Sequence, residues 1–242
     1  MSGARDDAEM AVSLRGDDDG RVERALRAAE FALTDPEEAS FVVAVGERAV
    51  VDAVRERPNG LILPVGIGGR HSVSPSALDD AFAALAEDDR RTVDHPTVDH
   101  PLLSVAVGDE PVADAVFDAM LVTNEPARIS EYAVRTGDDA LDAFRADGVV
   151  VATPLGSSGY AHAAGGPIVT PGTGVGVVPV SPFSTRWDTW VVDGDVSLSV
   201  ERDEGAVSLV VDGERTTAVD PHVPVRVEPT AEVTLLRPPA SE

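Results

Sequence analysis

The sequence contains no cysteine and no lysine, and aromatic residues make up only 4% of its 242 positions. Without cysteine the chain has no disulfide, no thiolate metal ligand and no thiol nucleophile. Without lysine it lacks the phosphate-binding lysine of P-loop proteins, the strand lysine of protein kinases and any Schiff-base lysine. Chemistry in this chain therefore depends on carboxylates, hydroxyls, histidine, arginine and backbone amides.

Charge is strongly one-sided, with 43 acidic residues against 19 arginines, a net charge of −24 and a pI near 4.3. Such a charge repels nucleic acid and anionic membranes, so neither is expected as a partner. A specific cationic partner is one explanation of the charge, and adaptation to a cytoplasm of concentrated salt is the favoured one. No apolar run is long enough to span a membrane, and residues 1–15 lack the pattern of a secretory signal, so a cytoplasmic protein is expected.

Strand and helix patterns alternate over the first ninety residues. Val22, Leu26, Ala29 and Leu33 share the spacing of one helix face, which predicts a helix ending near Thr34. Two more helices are predicted, and the second begins with Ser74 as N-cap and Pro75 as first residue. The other predicted elements are the strands Met10–Leu14, Phe41–Val45 and Leu61–Ile67 and the helices Ala49–Arg57 and Pro75–Glu87. This order predicts a Rossmann-like parallel α/β domain over residues 1–101.

Beyond Arg91, valine, threonine and serine alternate with charged residues, and Gly-Asp or Asp-Gly turns separate the segments. The chain is therefore expected to be α/β overall, with a β-rich, sandwich-like second domain over residues 102–242 whose last residues pack back on the first domain. The predicted strands are Leu102–Val107, Ala113–Val122, Val149–Thr153, Gly174–Val180, Val191–Val200, Val207–Val211 and Val223–Leu236.

A tandem repeat, Thr-Val-Asp-His-Pro, occupies residues 92–96 and 97–101 at the predicted domain junction. Two histidines and two aspartates so close together are compatible with a metal site. Proline after each histidine favours extended backbone without fixed side-chain geometry. A linker duplication is the favoured interpretation, and no metal site is predicted.

The stretch from Asp147 to Val169 reads DGVVVATPLGSSGYAHAAGGPIV, a strand that enters a turn of small residues and then a short alanine-rich helix. Backbone amides at such a turn can bind phosphate or ribose hydroxyls, and small side chains let a ligand approach closely. From composition alone, an ordinary surface loop is an equally valid interpretation.

These residues resemble a known family. Thr153–Tyr160, followed by Ala164–Ile168, is similar to the TPTGSTAY…AGGP signature of NAD kinases. Further matches come in the family's order and are Asn124-Glu125, Asp147-Gly148, Ser181–Ser184 and Asp212-Gly213.

The resemblance implies a phosphotransferase that uses ATP or polyphosphate with Mg²⁺ to phosphorylate the 2′-hydroxyl of the adenosine ribose of NAD. It implies a homodimer or homotetramer, and it makes Asp147 a candidate catalytic residue. The residues implied to hold the dinucleotide are Asn124, Glu125, Ser158, Gly159, Tyr160 and Ala163.

One motif departs from the family. Where NAD kinases have Gly-Gly-Asp-Gly-Thr, this chain reads Val45-Gly46-Glu47-Arg48-Ala49. By the resemblance, Glu47 replaces the family's catalytic Asp, and Arg48 replaces a glycine but can itself bind phosphate. Gly46 and Arg48, with Gly68 and Gly69, are the candidates for contacting the nucleotide. Three interpretations stay open: an active kinase, a dinucleotide-binding protein without catalysis, and a solvated first helical turn with no role.

Overall fold

The computed structural model describes residues 10–17, 19–56, 60–87, 96–125 and 128–237. The chain divides into two compact units. The N-terminal unit consists of Met1–Val98 and Thr234–Glu242, and the C-terminal unit consists of Asp99–Val233. Each unit has a hydrophobic core of its own.

The N-terminal unit is built on parallel strands that helices connect. Its sheet has the order β2-β1-β3-β4, and Leu235 near the end of the last strand of the chain pairs in parallel with Ile62. Parallel neighbours need crossover connections, which the helices supply. The elements are β1 (Ala11–Arg15), α1 (Arg21–Ala28), β2 (Ala32–Leu33), β3 (Phe41–Val45), α2 (Glu47–Glu56), β4 (Ile62–Val65) and α3 (Leu78–Glu87).

The uninterrupted apolar runs of β3 and β4 explain their central position, because strands covered on both faces have no polar side. Leu26 from α1 and Phe82 from α3 complete the core. Phe31 contacts both Phe41 and Phe82 edge to face, with ring centroids 6.1 and 6.3 Å apart. This cluster fixes both helices against the sheet.

Three predicted helix boundaries are wrong in this unit. Helix α2 begins at Glu47, two residues before the predicted start at Ala49. Helix α1 ends at Ala28 because Glu30 adopts a left-handed conformation (φ 63°), which places Leu33 in strand β2. Helix α3 begins at Leu78, since the N–H of Ala77 donates to the carbonyl of Ser74 (2.9 Å) and closes a turn where the first helical turn was expected.

The C-terminal unit contains two β-sheets. The first has the order β12-β11-β10-β7-β14-β15 and is antiparallel throughout; the second contains β16-β13-β8-β9, with β5 pairing both β16 and β6. Buried valine and leucine side chains of both sheets form one core. The strands are β5 (Thr97–Val107), β6 (Glu110–Ala115), β7 (Asp118–Thr123), β8 (Ser130–Thr136), β9 (Asp139–Ala146), β10 (Gly148–Ala152), β11 (Val175–Val180), β12 (Trp190–Val192), β13 (Val196–Arg202), β14 (Val207–Val211), β15 (Glu214–Val219) and β16 (Val225–Leu236).

The predicted fold class, a parallel α/β domain followed by a β-rich sandwich-like domain, is confirmed. Sequence reasoning missed four strands, β2, β8, β9 and β15. It also predicted one strand where β6 and β7 lie, and one where β12 and β13 lie. Strand β9 is mostly exposed and mixes Asp and Arg with alanine, so it lacks the alternation of apolar residues that marks a half-buried strand.

The tandem repeat does not behave as a linker in its second copy. Residues 97–101 form the beginning of β5, and His100 is fully buried there, because the strand places that side chain inward. The first copy is described only at Pro96. Within the described residues no group of three or more His, Asp or Glu side chains is placed to hold a metal ion.

None of the helices described is both long enough and apolar enough to cross a lipid bilayer.

Candidate functional site

Asn124 and Asp147 lie together at one end of the six-stranded sheet. Strands β7 and β10 are antiparallel neighbours with Gly148 opposite Val122, so Asp147 lies opposite Thr123, the last residue of β7, and Asn124 follows Thr123. The N–H of Thr123 donates to the carbonyl of Asp147 (2.9 Å), and the N–H of Asp147 donates to the carbonyl of Val180 (3.0 Å). These bonds hold the backbone at Asp147 between β7 and β11.

Asn124 is fixed through its backbone while its side chain keeps a free acceptor. Its N–H donates to the carbonyl of Ala206 (2.8 Å). Its Oδ1 atom is buried and has no hydrogen-bond partner within the described part of the chain. A buried amide oxygen without a partner is costly, so this atom is suited to accept a hydrogen bond from a bound ligand. Glu125 is exposed, and its Oε2 atom lies 3.6 Å from Nε of Arg128.

The segment after β11 lies at the same end of the sheet. Phe183 is 69% exposed, yet its N–H donates to the carbonyl of Arg145 (2.7 Å). The Arg145 guanidinium lies 5.9 Å from the centroid of the Phe183 ring and 2.8 Å from Glu204. A flat exposed ring held in this way can stack on a base.

The Gly/Ser turn lies at the opposite end of β10. Thr153 is buried there, and its hydroxyl donates to the carbonyl of Val116 (2.8 Å) and accepts from the N–H of Gly156 (3.1 Å). Ser157 is also buried, and its hydroxyl accepts from the N–H of Val169 (2.9 Å). A side chain at Gly156 would collide with the carbonyl of Phe117. The turn is therefore a tightly bonded structure and not an ordinary surface loop.

Ser158 ends a single 3-10 turn (Gly156–Ser158), and Gly159 leads into helix α4 (Tyr160–Ala163). Ala161 packs on Val150 and Val178, the side of β10 and β11 that faces away from the main core. This contact leaves Tyr160 and Ala163 exposed, and Tyr160 has 49% of its surface accessible. Small side chains in α4 thus bring its backbone close to the sheet and present one aromatic ring to solvent.

Asp212 supports this end of the sheet, although sequence reasoning gave it only as one of the matches to a known family. With Gly213 it forms the two-residue turn between β14 and β15, both residues having positive φ (48° and 78°), as a tight hairpin turn requires. Its carboxylate accepts from the N–H groups of Val116 (3.0 Å), Phe117 (2.7 Å) and Asp118 (3.2 Å). Val116 and Phe117 are in turn the residues against which the Gly/Ser turn rests.

We expect Asp212→Ala to lower the free energy of unfolding by about 3 kcal/mol, because three amide donors lose a charged acceptor. The matched control is Asp138→Ala, at the turn of the β8–β9 hairpin, which should change stability by less than about 0.5 kcal/mol. Denaturant unfolding of both variants in molar KCl measures the difference. Equal stabilities would contradict the supporting role of Asp212.

In the N-terminal unit, Gly46, Glu47 and Arg48 lie where β3 gives way to α2. Gly46 has a φ of 83°, a left-handed conformation that favours glycine, and its N–H donates to the carbonyl of Val65 (2.9 Å). Glu47 is the first residue of α2 and is exposed. The side chain of Arg48 is 82% exposed and lies 4.0 Å from Asp52. The carboxyl ends of parallel strands are where ligands bind in such sheets.

The loop after β4 contains Gly68 and Gly69, both exposed and both with positive φ (77° and 68°). His71 follows and is buried. Burial lowers the pKa of His71, and the positive charges of Arg70 and Arg237 lower it further. His71 therefore stays neutral in the folded protein to a lower pH than an ordinary histidine.

The lowered pKa of His71 predicts a loss of stability in mild acid. Below the ordinary value of about 6.5 the unfolded chain binds a proton that the folded chain does not, so stability falls by at most about 1.4 kcal/mol for each pH unit. The measurement is the free energy of unfolding at pH values between about 6.5 and 5. This free energy should depend less on pH in His71→Gln than in wild type, whereas His222→Gln, at an exposed position, should not reduce the dependence. The same dependence of the free energy of unfolding on pH in wild type and in His71→Gln would contradict this.

The predicted site residues thus fall into three groups. Gly46, Glu47, Arg48, Gly68 and Gly69 lie in the N-terminal unit, at the ends of β3 and β4. Asn124, Glu125 and Asp147 lie together at one end of the six-stranded sheet, and Ser158, Gly159, Tyr160 and Ala163 lie in or next to α4.

Comparison with known proteins finds a matching domain family and curated relatives. Residues 117–234 match the ATP-NAD kinase C-terminal domain. The chain is 35% identical over 142 residues to the NAD kinase of Methanosarcina barkeri, an alignment covering 57% of this chain and 48% of that protein. The chain thus spans about half the length of this curated relative.

Two solved structures have the same fold. An NAD kinase from Archaeoglobus fulgidus in complex with ATP superposes with a TM-score of 0.68 at 23% identity, covering 94% of this chain and 93% of that one. Yeast NADH kinase complexed with NADH superposes with a TM-score of 0.72 at 15% identity, covering 96% and 84%. Residues 117–234 thus belong to the ATP-NAD kinase C-terminal domain family, and the chain as a whole has the fold of these two kinases.

Proposed function

We propose that this protein transfers a phosphoryl group to the 2′-hydroxyl of the adenosine ribose of NAD, giving NADP. The observation that carries the proposal is the pair Asn124 and Asp147. Both are fixed through their backbones, they come from neighbouring strands, and the buried Oδ1 of Asn124 lacks a partner in the described residues. An amide oxygen and a carboxylate can each accept a hydrogen bond from a ribose hydroxyl or a base amine.

The C-terminal unit would hold the dinucleotide. Tyr160 and Phe183 offer exposed rings for stacking, and the Gly/Ser turn with α4 offers backbone groups close to the sheet. Ser158, Gly159 and Ala163 are small enough to let a ligand approach. Glu125, exposed beside Asn124, would bind a polar edge of the ligand.

The N-terminal unit would bind the phosphoryl donor, which we propose to be ATP or polyphosphate. Gly46 and the exposed guanidinium of Arg48 are the groups suited to phosphate, with Gly68 and Gly69 on the neighbouring loop. Glu47 is the candidate base for the ribose hydroxyl, and Asp147 is the alternative. Mg²⁺ would arrive with the donor's phosphates, which commonly supply most of its ligands. The ATP bound to the A. fulgidus relative supports the choice of donor.

The alternative is a protein of the same fold that binds the dinucleotide without phosphorylating it. The altered motif favours it, because Val45 and Arg48 stand where the family has glycines, whose bare backbone admits phosphate. The exposed Arg48 restores a positive charge at that position, which favours the enzyme.

The deciding experiment incubates purified protein in molar KCl and Mg²⁺ with NAD or NADH and with ATP or polyphosphate, and measures NADP(H). Calorimetric titration with NAD in the same buffer measures binding separately. Product formation supports the kinase, binding without product supports the alternative, and neither binding nor product refutes both.

We also propose a homodimer or homotetramer working in a salt-rich cytoplasm. The large apolar side chains that are exposed in the described residues all fall within residues 160–191: Tyr160, Ile168, Phe183, Trp187 and Val191. Exposed large apolar side chains are compatible with a subunit interface. The lysine-free acidic composition supports the location. Light scattering in molar KCl measures the oligomer, and a monomer at all concentrations would contradict this part of the proposal.

A further inference from the structure

Behind Asn124 and Asp147 lies a buried network of hydroxyl groups from Thr123, Ser130 and Tyr132. Thr123 Oγ1 donates to Ser130 Oγ (3.0 Å) and lies 2.9 Å from the Tyr132 hydroxyl oxygen. The Tyr132 hydroxyl donates to the backbone carbonyl of Asp147 (3.3 Å). All three side chains are buried, Ser130 and Tyr132 completely.

The network links the two sheets of the C-terminal unit. Tyr132 and Ser130 belong to β8, whereas Thr123 ends β7 and Asp147 precedes β10 in the other sheet. The carbonyl of Asp147 accepts two hydrogen bonds, one from the Thr123 N–H and one from the Tyr132 hydroxyl. The core thereby restrains the backbones of Asp147 and of Thr123, the residue before Asn124.

Packing alone does not require this hydroxyl. Tyr132 belongs to a core of valine and leucine, and phenylalanine would fill nearly the same volume without a polar atom to satisfy. Burial raises the pKa of the Tyr132 hydroxyl, so it remains a proton donor at neutral pH. Its partners are Asp147, itself a candidate site residue, and Thr123, the residue before Asn124.

We propose that Tyr132 is a positioning residue that, through its hydroxyl, holds Asn124 and Asp147 in the orientation that binds the dinucleotide. This role rests on the proposed function. In this proposal Tyr132 does not contact the ligand. Its effect reaches Asn124 through Thr123, the preceding residue, whose N–H donates to the Asp147 carbonyl (2.9 Å).

The test compares Tyr132→Phe with Val134→Ala, both in molar KCl. Val134 lies two residues along β8 on the same buried face, so its truncation weakens the same core without touching the hydroxyl network. Tyr132→Phe should raise the Kd and KM for NAD about fivefold and leave the KM for ATP unchanged, since one hydrogen bond is lost on the dinucleotide side only. Val134→Ala should lower the thermal midpoint by about 5 °C and bind NAD like wild type.

Amide hydrogen exchange gives a readout that needs no ligand. The Thr123 amide should exchange about fivefold faster in Tyr132→Phe than in wild type, because the carbonyl that it binds loses its second restraint. Two results would overturn the role of Tyr132 without touching the proposed function. One is an unchanged exchange rate of the Thr123 amide, and the other is a Tyr132→Phe protein with the wild-type Kd for NAD. A Val134→Ala protein with an equally raised Kd would also overturn it, by making the effect one of stability. A wild-type protein that binds no dinucleotide would overturn the proposed function, and this role with it.

Discussion

A Glu47→Gln protein is expected to form NADP about 10² to 10⁴ times more slowly than wild type if Glu47 is the base. Glutamine keeps the size and the hydrogen-bonding oxygen but cannot take the proton from the ribose hydroxyl. Glu47 is the first residue of α2, and its exposed side chain can choose among rotamers to offset its extra methylene relative to aspartate. The measurement is kcat for NADP formation at saturating NAD and ATP in molar KCl.

The control is Glu37→Gln, an exposed glutamate in the turn that precedes β3, at the opposite end of that strand from Glu47. It makes the same change of charge in the same unit and should leave kcat unchanged. A second variant, with Val45→Gly, Glu47→Asp and Arg48→Gly, restores the family's first four motif residues and should raise kcat. Full activity in Glu47→Gln would remove Glu47 from the mechanism and leave Asp147 as the candidate. No activity in wild type or in the restored variant would favour the binding protein.

Molar KCl is expected to raise the thermal midpoint by about 10 °C over dilute buffer. Forty-three carboxylates against 19 arginines repel one another at low ionic strength. Salt shortens the screening length from about 30 Å at 0.01 M to about 3 Å at 1 M. Relief of a few kcal/mol of repulsion corresponds to a shift of about 10 °C for a chain of this size. Calorimetric scans across a KCl series measure it.

A local variant tests whether repulsion is the cause. Asp138, Asp139 and Asp142 are exposed on the β8–β9 hairpin, and changing all three to asparagine reduces the net charge from −24 to −21. The triple variant should gain less from salt than wild type does. A wild-type midpoint that stays constant from dilute buffer to molar KCl would contradict the screening argument.

The sequence predicted the fold where local pattern and final environment agree. The strand Phe41–Val45 is apolar throughout and buried on both faces, and its predicted limits are confirmed. Leu33 fitted a helix face by spacing, but the left-handed turn at Glu30 ended the helix first. Strand β9 has no readable pattern because its pairing with β8, and not its own burial, makes it a strand. Such pairing is long-range information that spacing along the chain does not contain.

The candidate site was predictable from its motif more than from its chemistry. The Gly/Ser turn and the Asn124-Glu125 pair could be recognised because they stand together in the sequence in a known order. Tyr132 carries no such signal, since a tyrosine in a strand is ordinary and its partners Thr123 and Asp147 lie on the other sheet. The roles of Glu47 and Asp147 stay predictions that the kinetic variants decide.

The pairing of strand β16 with β4 determines when the N-terminal sheet can be completed during translation. Leu235 pairs with Ile62, Leu236 is buried in the N-terminal core, and the N–H of Arg237 donates to the carbonyl of Pro96 (2.8 Å). About 135 residues, those of the C-terminal unit, separate the two parts of the N-terminal unit. At about 5–20 residues per second, a ribosome needs roughly 7–27 s to translate them. During that interval the nascent N-terminal sheet lacks the strand that pairs with β4, so the β4 edge stays uncovered until the residues around Leu235 have been translated.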